Sequence, residues 1–176
     1  MFTRIIDDEL ELALPQPSFA PRYLELVNTQ RDYLAQWLAW PTKAHNEAFF
    51  ASFIRNAVKD YADGNSMVCA IIYQGEVVGN CSFNRLHHDL KKAEVGYWLS
   101  ESHQGKGIMT RVVKTLIDIA FSELHMEKVE LSAAVNNTAS RAVAERCGMQ
   151  LEAVLSHQEK IGERILDHAI YSVTRN

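Results

Sequence analysis

One stretch, residues 93–134, sets the topology available to the whole chain. Residues 93–99 form a β-rich run, and Gln104-Gly105-Lys106-Gly107 makes a polar turn. Met109, Val112, Val113, Leu116 and Ala120 then recur at helical spacing to about Glu123. Lys128–Ala134 is a further β-rich run. Two neighbouring strands joined through a helix lie parallel, and the crossover is right-handed. The chain is therefore committed to a sheet with a parallel pair and to a helix that starts directly after the first of those strands.

The flanking segments add antiparallel structure. Residues 9–14 alternate, with Leu10, Leu12 and Leu14 on one face and Glu9, Glu11 and Ala13 on the other, as in a half-buried first strand. Pro15 and Pro17 end it, and Ser18 is the expected cap of the next helix. Tyr23, Leu24, Val27, Leu34, Trp37 and Leu38 predict one or two short helices through Trp40. Past Pro41, the set Phe50, Phe53, Ile54, Ala57, Val58 and Tyr61 marks one face of another helix, which Asp63-Gly64-Asn65 stops. Residues 67–73 and 77–86 are strands about a Gln74-Gly75 hairpin turn, and 87–91 is a polar loop. After the parallel unit come a short helix over 137–147, stopped by Gly148, and two strands flanking Gly162-Glu163. This order predicts a single α+β domain over residues 1–176, a mixed and mostly antiparallel seven-stranded sheet with flanking helices.

Composition narrows the function classes. With 47% hydrophobic and 23% charged residues, 8 Gly and 4 Pro, the chain can bury roughly two-thirds of its unfolded surface, which argues against disorder. Its apolar runs stop short of the ~20 residues of a membrane span, and Arg4, Asp7, Asp8 and Glu9 are not the start of a secretory signal. The cytoplasm is the expected compartment. Cys69, Cys81 and Cys147 are odd in number and lack CxxC spacing, so reduced thiols are expected rather than a disulfide framework or a zinc site. His87-His88-Asp89 has no accompanying ligand pattern and reads as a solvated loop, so no metal is expected. The net charge of −4, without basic runs, leaves no footprint for nucleic acid and does not repel cationic amines.

A glycine-rich loop opening into a helix presents unpaired N–H groups and the positive end of the helix dipole, and so can hold a phosphate. Gly105 and Gly107 remove side chains that would keep an anion off the backbone, while Lys106 and Arg111 add positive charge. Taken alone, the turn is equally an ordinary strand-to-helix connection. It matches neither GxxxxGK[ST] nor the dinucleotide fingerprint, which needs a third glycine. Asn136-Asn137-Thr138-Ala139-Ser140 opens the next helix, with Asn137 and Ser140 on the same side of its first turn. Asn137 is either a plain cap or part of a second polar wall. Two helix N-termini at the ends of adjacent parallel strands form a polar crevice, the usual place for a ligand in such sheets.

Together, Glu94-Val95-Gly96-Tyr97-Trp98-Leu99, Gln104-Gly105-Lys106-Gly107-Ile108-Met109, Asn137-Thr138-Ala139-Ser140 and Glu145-Arg146-Cys147-Gly148-Met149 resemble the GNAT acetyltransferase superfamily. Within it, the chain is most similar to the RimJ/RimL branch and its RimL-type ribosomal-protein N-terminal acetyltransferases. The resemblance runs from about residue 10 to residue 174, with Met109 standing where the family's turn commonly has Gly or Ala. It implies the GNAT fold with a splayed central parallel pair, and acetyl-CoA as co-substrate without a metal. Gln104, Gly105, Lys106, Gly107, Ile108, Met109 and Thr110 would meet the pyrophosphate, while Trp98, Leu99 and Asn137 would meet the pantetheine. It also implies a homodimer and an amine acceptor, foremost the N-terminus of a ribosomal protein. The alternatives are a small-molecule amine (amino acid, polyamine or drug) or a CoA-binding module without turnover.

The chemistry requires a neutral amine. An α-amino group is about a tenth neutral at pH 7, whereas a lysine near 10.4 is almost wholly protonated. The resemblance makes Glu159 the base, with Glu94, which matches the base of other GNAT branches, as its rival; either is otherwise a solvated strand carboxylate. Ser140 is the implied hydrogen-bond donor to the leaving sulfur, or else a serine bonded to local backbone. Trp37, with Trp40, falls in the variable segment that covers the acceptor, where aromatics are otherwise core. Asn84 is a candidate contact for the acceptor backbone. His168 receives no role.

Overall fold

The computed structural model describes residues 2–175. In chain order its elements are β1 (Thr3–Ile5), β2 (Leu10–Ala13), α1 (Ala20–Leu34), α2 (Glu47–Ala62), β3 (Met67–Tyr73), β4 (Glu76–His87), β5 (Lys92–Leu99), α3 (Ile108–Ser122), β6 (Lys128–Ala134), α4 (Thr138–Arg146), β7 (Gln150–Ile161) and β8 (Arg164–Thr174). The strands form one sheet in the order β1-β2-β3-β4-β5-β6-β8-β7, in which β5 and β6 are parallel and the other pairs antiparallel. No described helix is long and apolar enough to cross a membrane.

Four expectations are corrected. The sheet has eight strands rather than seven, because residues 3–5 pair with β2 through Arg4↔Leu12. All three are exposed, so backbone pairing holds this strand and no hydrophobic period announces it. Ser18 caps nothing: it lies in a 3-10 turn, Pro17–Phe19, that leads into α1. That helix stops at Leu34 instead of Trp40 and leaves helical geometry at Gln30 (φ −146°, ψ 33°), whose Oε1 accepts from the Glu101 N–H at 2.6 Å. The kink ties α1 to the loop leading into α3. In α2 the cap is Asn46, whose Oδ1 accepts from the Phe49 N–H at 3.0 Å. The buried stripe of α2 is narrower than the apolar spacing suggested, comprising Phe50, Ile54 and Ala57, while Phe53, Val58 and Tyr61 stay partly exposed.

Strand alternation divides the core. Ala93, Val95 and Leu99 of β5 join Phe83, Val112, Leu116 and Leu131 on the α3/α4 face. On the other face Tyr23, Val27, Phe50 and Ile54 pack on Ala70, Ile72 and Val77, with Trp98 against them. The site arises where the sheet comes apart. β5 and β6 are paired only from Lys92↔Lys128 to Val95↔Leu131, after which β5 continues against β4 and β6 continues against β8. Beside that fork β4 carries a bulge: Phe83 pairs with Val95 and Arg85 with Glu94, leaving Asn84 as the extra residue. A bulge bends its strand and increases the local twist, which here turns the end of β5 away from β6. Gly96 makes room for the bulged side chain, since a Cβ there would lie 2.4 Å from Asn84 Nδ2.

Candidate active site

The fork opens into a cleft of about 1350 Å³ bordered by both helix N-termini and by the aromatic segment after α1. One wall is built for an anion. Gly105 and Gly107 have φ of 74° and 69°, and an added Cβ would meet nothing within 4 Å at either, so their backbone faces open space. Gly107 N-caps α3 with no capping side chain, and the first helical hydrogen bond runs from the Arg111 N–H to the Gly107 carbonyl. The N–H groups ahead of it in the first turn of α3 are therefore left for a ligand, as a pyrophosphate requires.

The predicted contacts on this wall divide. Gly105, Gly107, Ile108, Met109 and Thr110 line the cleft, yet Ile108 and Met109 bury their side chains, so they offer backbone N–H groups. The Gln104 side chain donates to the Tyr33 hydroxyl and bridges the loop to α1. Lys106 is not brought to the cleft: its ammonium stands 5.6 Å over the Tyr73 ring. Trp98 and Leu99 border the cleft, but the Trp98 ring turns into the aromatic cluster, 5.9 Å from Tyr23 and 5.8 Å from Trp40. Asn137 both lines the cleft and caps α4, its Oδ1 accepting from the Ser140 N–H at 3.2 Å.

Ser140 has a partner that sequence reasoning missed. Its Oγ lies 2.8 Å from the Tyr97 hydroxyl. Burial pushes the Tyr97 phenol up to about 12, the bond to Ser140 offsetting part of that rise, so the phenol stays protonated near neutral pH. Tyr97 can then donate to Ser140 Oγ and leave the serine hydrogen to point into the cleft.

The carboxylates gather on the α1/α2 face of the sheet. Glu94 Oε1 lies 2.7 Å from His87 Nε2 and 3.3 Å from Lys92 Nζ. Glu130 is paired to Lys92 at 2.8 Å and Lys128 at 2.9 Å. Burial pushes its carboxyl up, but the two lysines outweigh this and hold it below the usual carboxylate range. Glu159 on β7 differs: among the described residues no Lys or Arg pairs with it, and its neighbour is His168, 3.3 Å away. Of the two candidate bases, Glu159 is the one whose negative charge is not already compensated by a cation.

Trp37 borders the cleft, and its segment is tethered to the β7–β8 hairpin through Arg164, which donates to the Gln36 carbonyl at 2.8 Å. Asn84 also faces the cleft, with its Oδ1 accepting from the Ser82 hydroxyl at 2.6 Å. Cys69 and Cys81 sit opposite each other on β3 and β4 as buried free thiols, and burial pushes Cys69 up to about 12.

Residues 9–150 match the family model described as an acetyltransferase (GNAT) domain. The chain belongs to the GNAT acetyltransferase family. This acetyltransferase is 30% identical to the ribosomal-protein-serine acetyltransferase of Escherichia coli (strain K12) over 168 residues, covering 95% of this chain and 93% of that protein. Among solved structures it is similar to RimL, a ribosomal L7/L12 alpha-N-protein acetyltransferase in complex with coenzyme A, at a TM-score of 0.94 and 27% identity over 98% of each chain. It is also similar to the microcin C7 self-immunity acetyltransferase MccE in complex with acetyl-CoA and AMP, at a TM-score of 0.93 and 32% identity over 97% of this chain and 94% of that one. The protein is an acetyl-CoA-dependent N-acetyltransferase, and the α3 turn fits the co-substrate.

Proposed function

We propose that this acetyltransferase modifies the α-amino group at the N-terminus of a ribosomal protein, in the cytoplasm, as a homodimer. The observation that carries this reading is the uncompensated Glu159 carboxylate on the acceptor side of a cleft whose other wall is an anion-binding turn. Similarity over nearly the whole chain to a ribosomal-protein-serine acetyltransferase supports the acceptor. The homodimer has support in Leu151, Val154, Leu155 and Ile165, exposed on the β7–β8 hairpin at the edge of the sheet. A sedimenting mass of one chain would exclude it.

Acetyl-CoA supplies the acetyl group as a thioester. The α3 turn holds its pyrophosphate, Glu159 takes the proton of the attacking amine as the N–C bond forms, and Ser140, backed by Tyr97, donates to the sulfur as the C–S bond breaks. A weak carboxylate base suffices because an α-amino group is already partly neutral.

The aromatic wall favours one second reading, a small-molecule amine carrying a flat ring. Trp40 stacks on Phe49 at 21° and faces Trp98, and the similar MccE is complexed with AMP. Thiol release from acetyl-CoA separates the two. N-terminal ribosomal-protein peptides should turn over, the same peptides with blocked N-termini should not, and a panel of small amines should be slow. Turnover confined to the small amines would replace the ribosomal reading.

A further inference from the structure

Glu94, Glu130 and Asn84 each have close polar partners, but His168 on β8 has one end unmatched. Its Nε2 is the one buried side-chain N or O atom, among the described residues, without a hydrogen-bond partner. That nitrogen lies 3.3 Å from Glu159 Oε2, near it but misaligned for a hydrogen bond. At the other end of the ring, Nδ1 is 2.7 Å from the Ser132 hydroxyl on β6.

A neutral imidazole carries one N–H, and the partner of one nitrogen decides where that hydrogen sits. Facing a carboxylate, the ring is lower in energy with the hydrogen on Nε2, so Nδ1 accepts from the Ser132 O–H. We propose that His168 is the positioning residue of the Glu159 base: Ser132 anchors the ring through Nδ1, and its Nε2–H holds Glu159 Oε2 so that Oε1 receives the proton of the acceptor amine. The inference rests on Glu159 being the base. The proton passes from the amine nitrogen to Oε1 and on to solvent, and His168 keeps its own.

The charged groups around the ring leave Glu159 as its partner. From β6, Glu130 is held by Lys92 and Lys128; from β5, Glu94 is held by His87 and Lys92. Asp167, beside His168 on β8, accepts from the His157 N–H at 2.9 Å.

The test compares His168→Ala, His168→Gln, Ser132→Ala and Glu159→Gln in steady-state acetylation of an N-terminal peptide across pH. A glutamine can place an amide N–H near the position of Nε2. His168→Ala should lower kcat about tenfold or more with KM for acetyl-CoA unchanged, and His168→Gln should recover to within about threefold of wild type. In the Glu159→Gln background, His168→Ala should cost nothing further. Wild-type kcat in His168→Ala beside an impaired Glu159→Gln overturns the inference. So does a folded His168→Gln no better than alanine. Wild-type kcat in Glu159→Gln instead overturns the base reading itself. Should His168→Ala fail to fold, the Gln variant and a severalfold loss in Ser132→Ala carry the test.

Discussion

Glu159→Gln lowers kcat by roughly a hundredfold or more, the loss typical of removing a general base, while acetyl-CoA binding stays within about twofold of wild type. The carboxamide keeps the shape of the side chain but cannot take a proton from the amine. Glu159 projects from the α1/α2 face of the sheet, across the fork from the uncapped N–H groups at the start of α3. Stability should not change, because no Lys or Arg among the described residues pairs with the carboxylate. Initial rates with a peptide acceptor, and calorimetric titration with coenzyme A, check both halves. Undiminished kcat would move the base to Glu94 despite its contacts with Lys92 and His87.

Phe83→Ala produces the opposite pattern, a large loss of stability from a residue outside the chemistry. Phe83 is fully buried in the α3/α4 core and pairs with Val95 at the last rung before β5 and β6 part. Deleting a buried phenyl removes its transfer free energy and leaves a cavity, together about 3–5 kcal/mol. For a chain of this length that lowers Tm by on the order of 10 °C. The cavity lies beneath the Asn84 bulge, so the fork should loosen and acetyl-CoA binding should weaken along with stability. Urea unfolding with an unchanged m-value, together with coenzyme A titration, reads both. A loss below about 1 kcal/mol would show that the bulge region does not depend on this packing.

The sequence made the parallel unit legible because a change of hydrophobic period, punctuated by Gly105 and Gly107, is a local signal. The glycine turn with its uncapped N–H groups was legible for the same reason: those groups belong to consecutive residues. Features that arise only when strands pair were not legible. The Asn84 bulge is a mismatch between the lengths of β4 and β5, and neither strand records it alone. The exposed β1 has no hydrophobic period. Apolar spacing through Leu34, Trp37 and Leu38 carried the expected helix past its real end, because the same residues serve the aromatic wall.

The site divides in the same way. Glu159, Ser140, Asn137, Asn84, Glu94 and Trp37 were identified in the sequence and border one cleft. Lys106 was identified on charge, but in the folded chain it lies over Tyr73. Tyr97 and His168 received no role from the sequence because their partners are distant in it. Tyr97 meets Ser140 across the β5–α4 gap, and His168 meets Ser132 and Glu159 only once β8 lies between β6 and β7.

The most direct test of the central claim is where the acetyl group lands. A ribosomal-protein peptide with one free α-amino group and one internal lysine is incubated with the enzyme and acetyl-CoA, and the product is fragmented by mass spectrometry. Acetyl on the N-terminal residue alone is the predicted result. Acetyl on the lysine, or an unmodified peptide alongside rapid acetylation of a small amine, would contradict it.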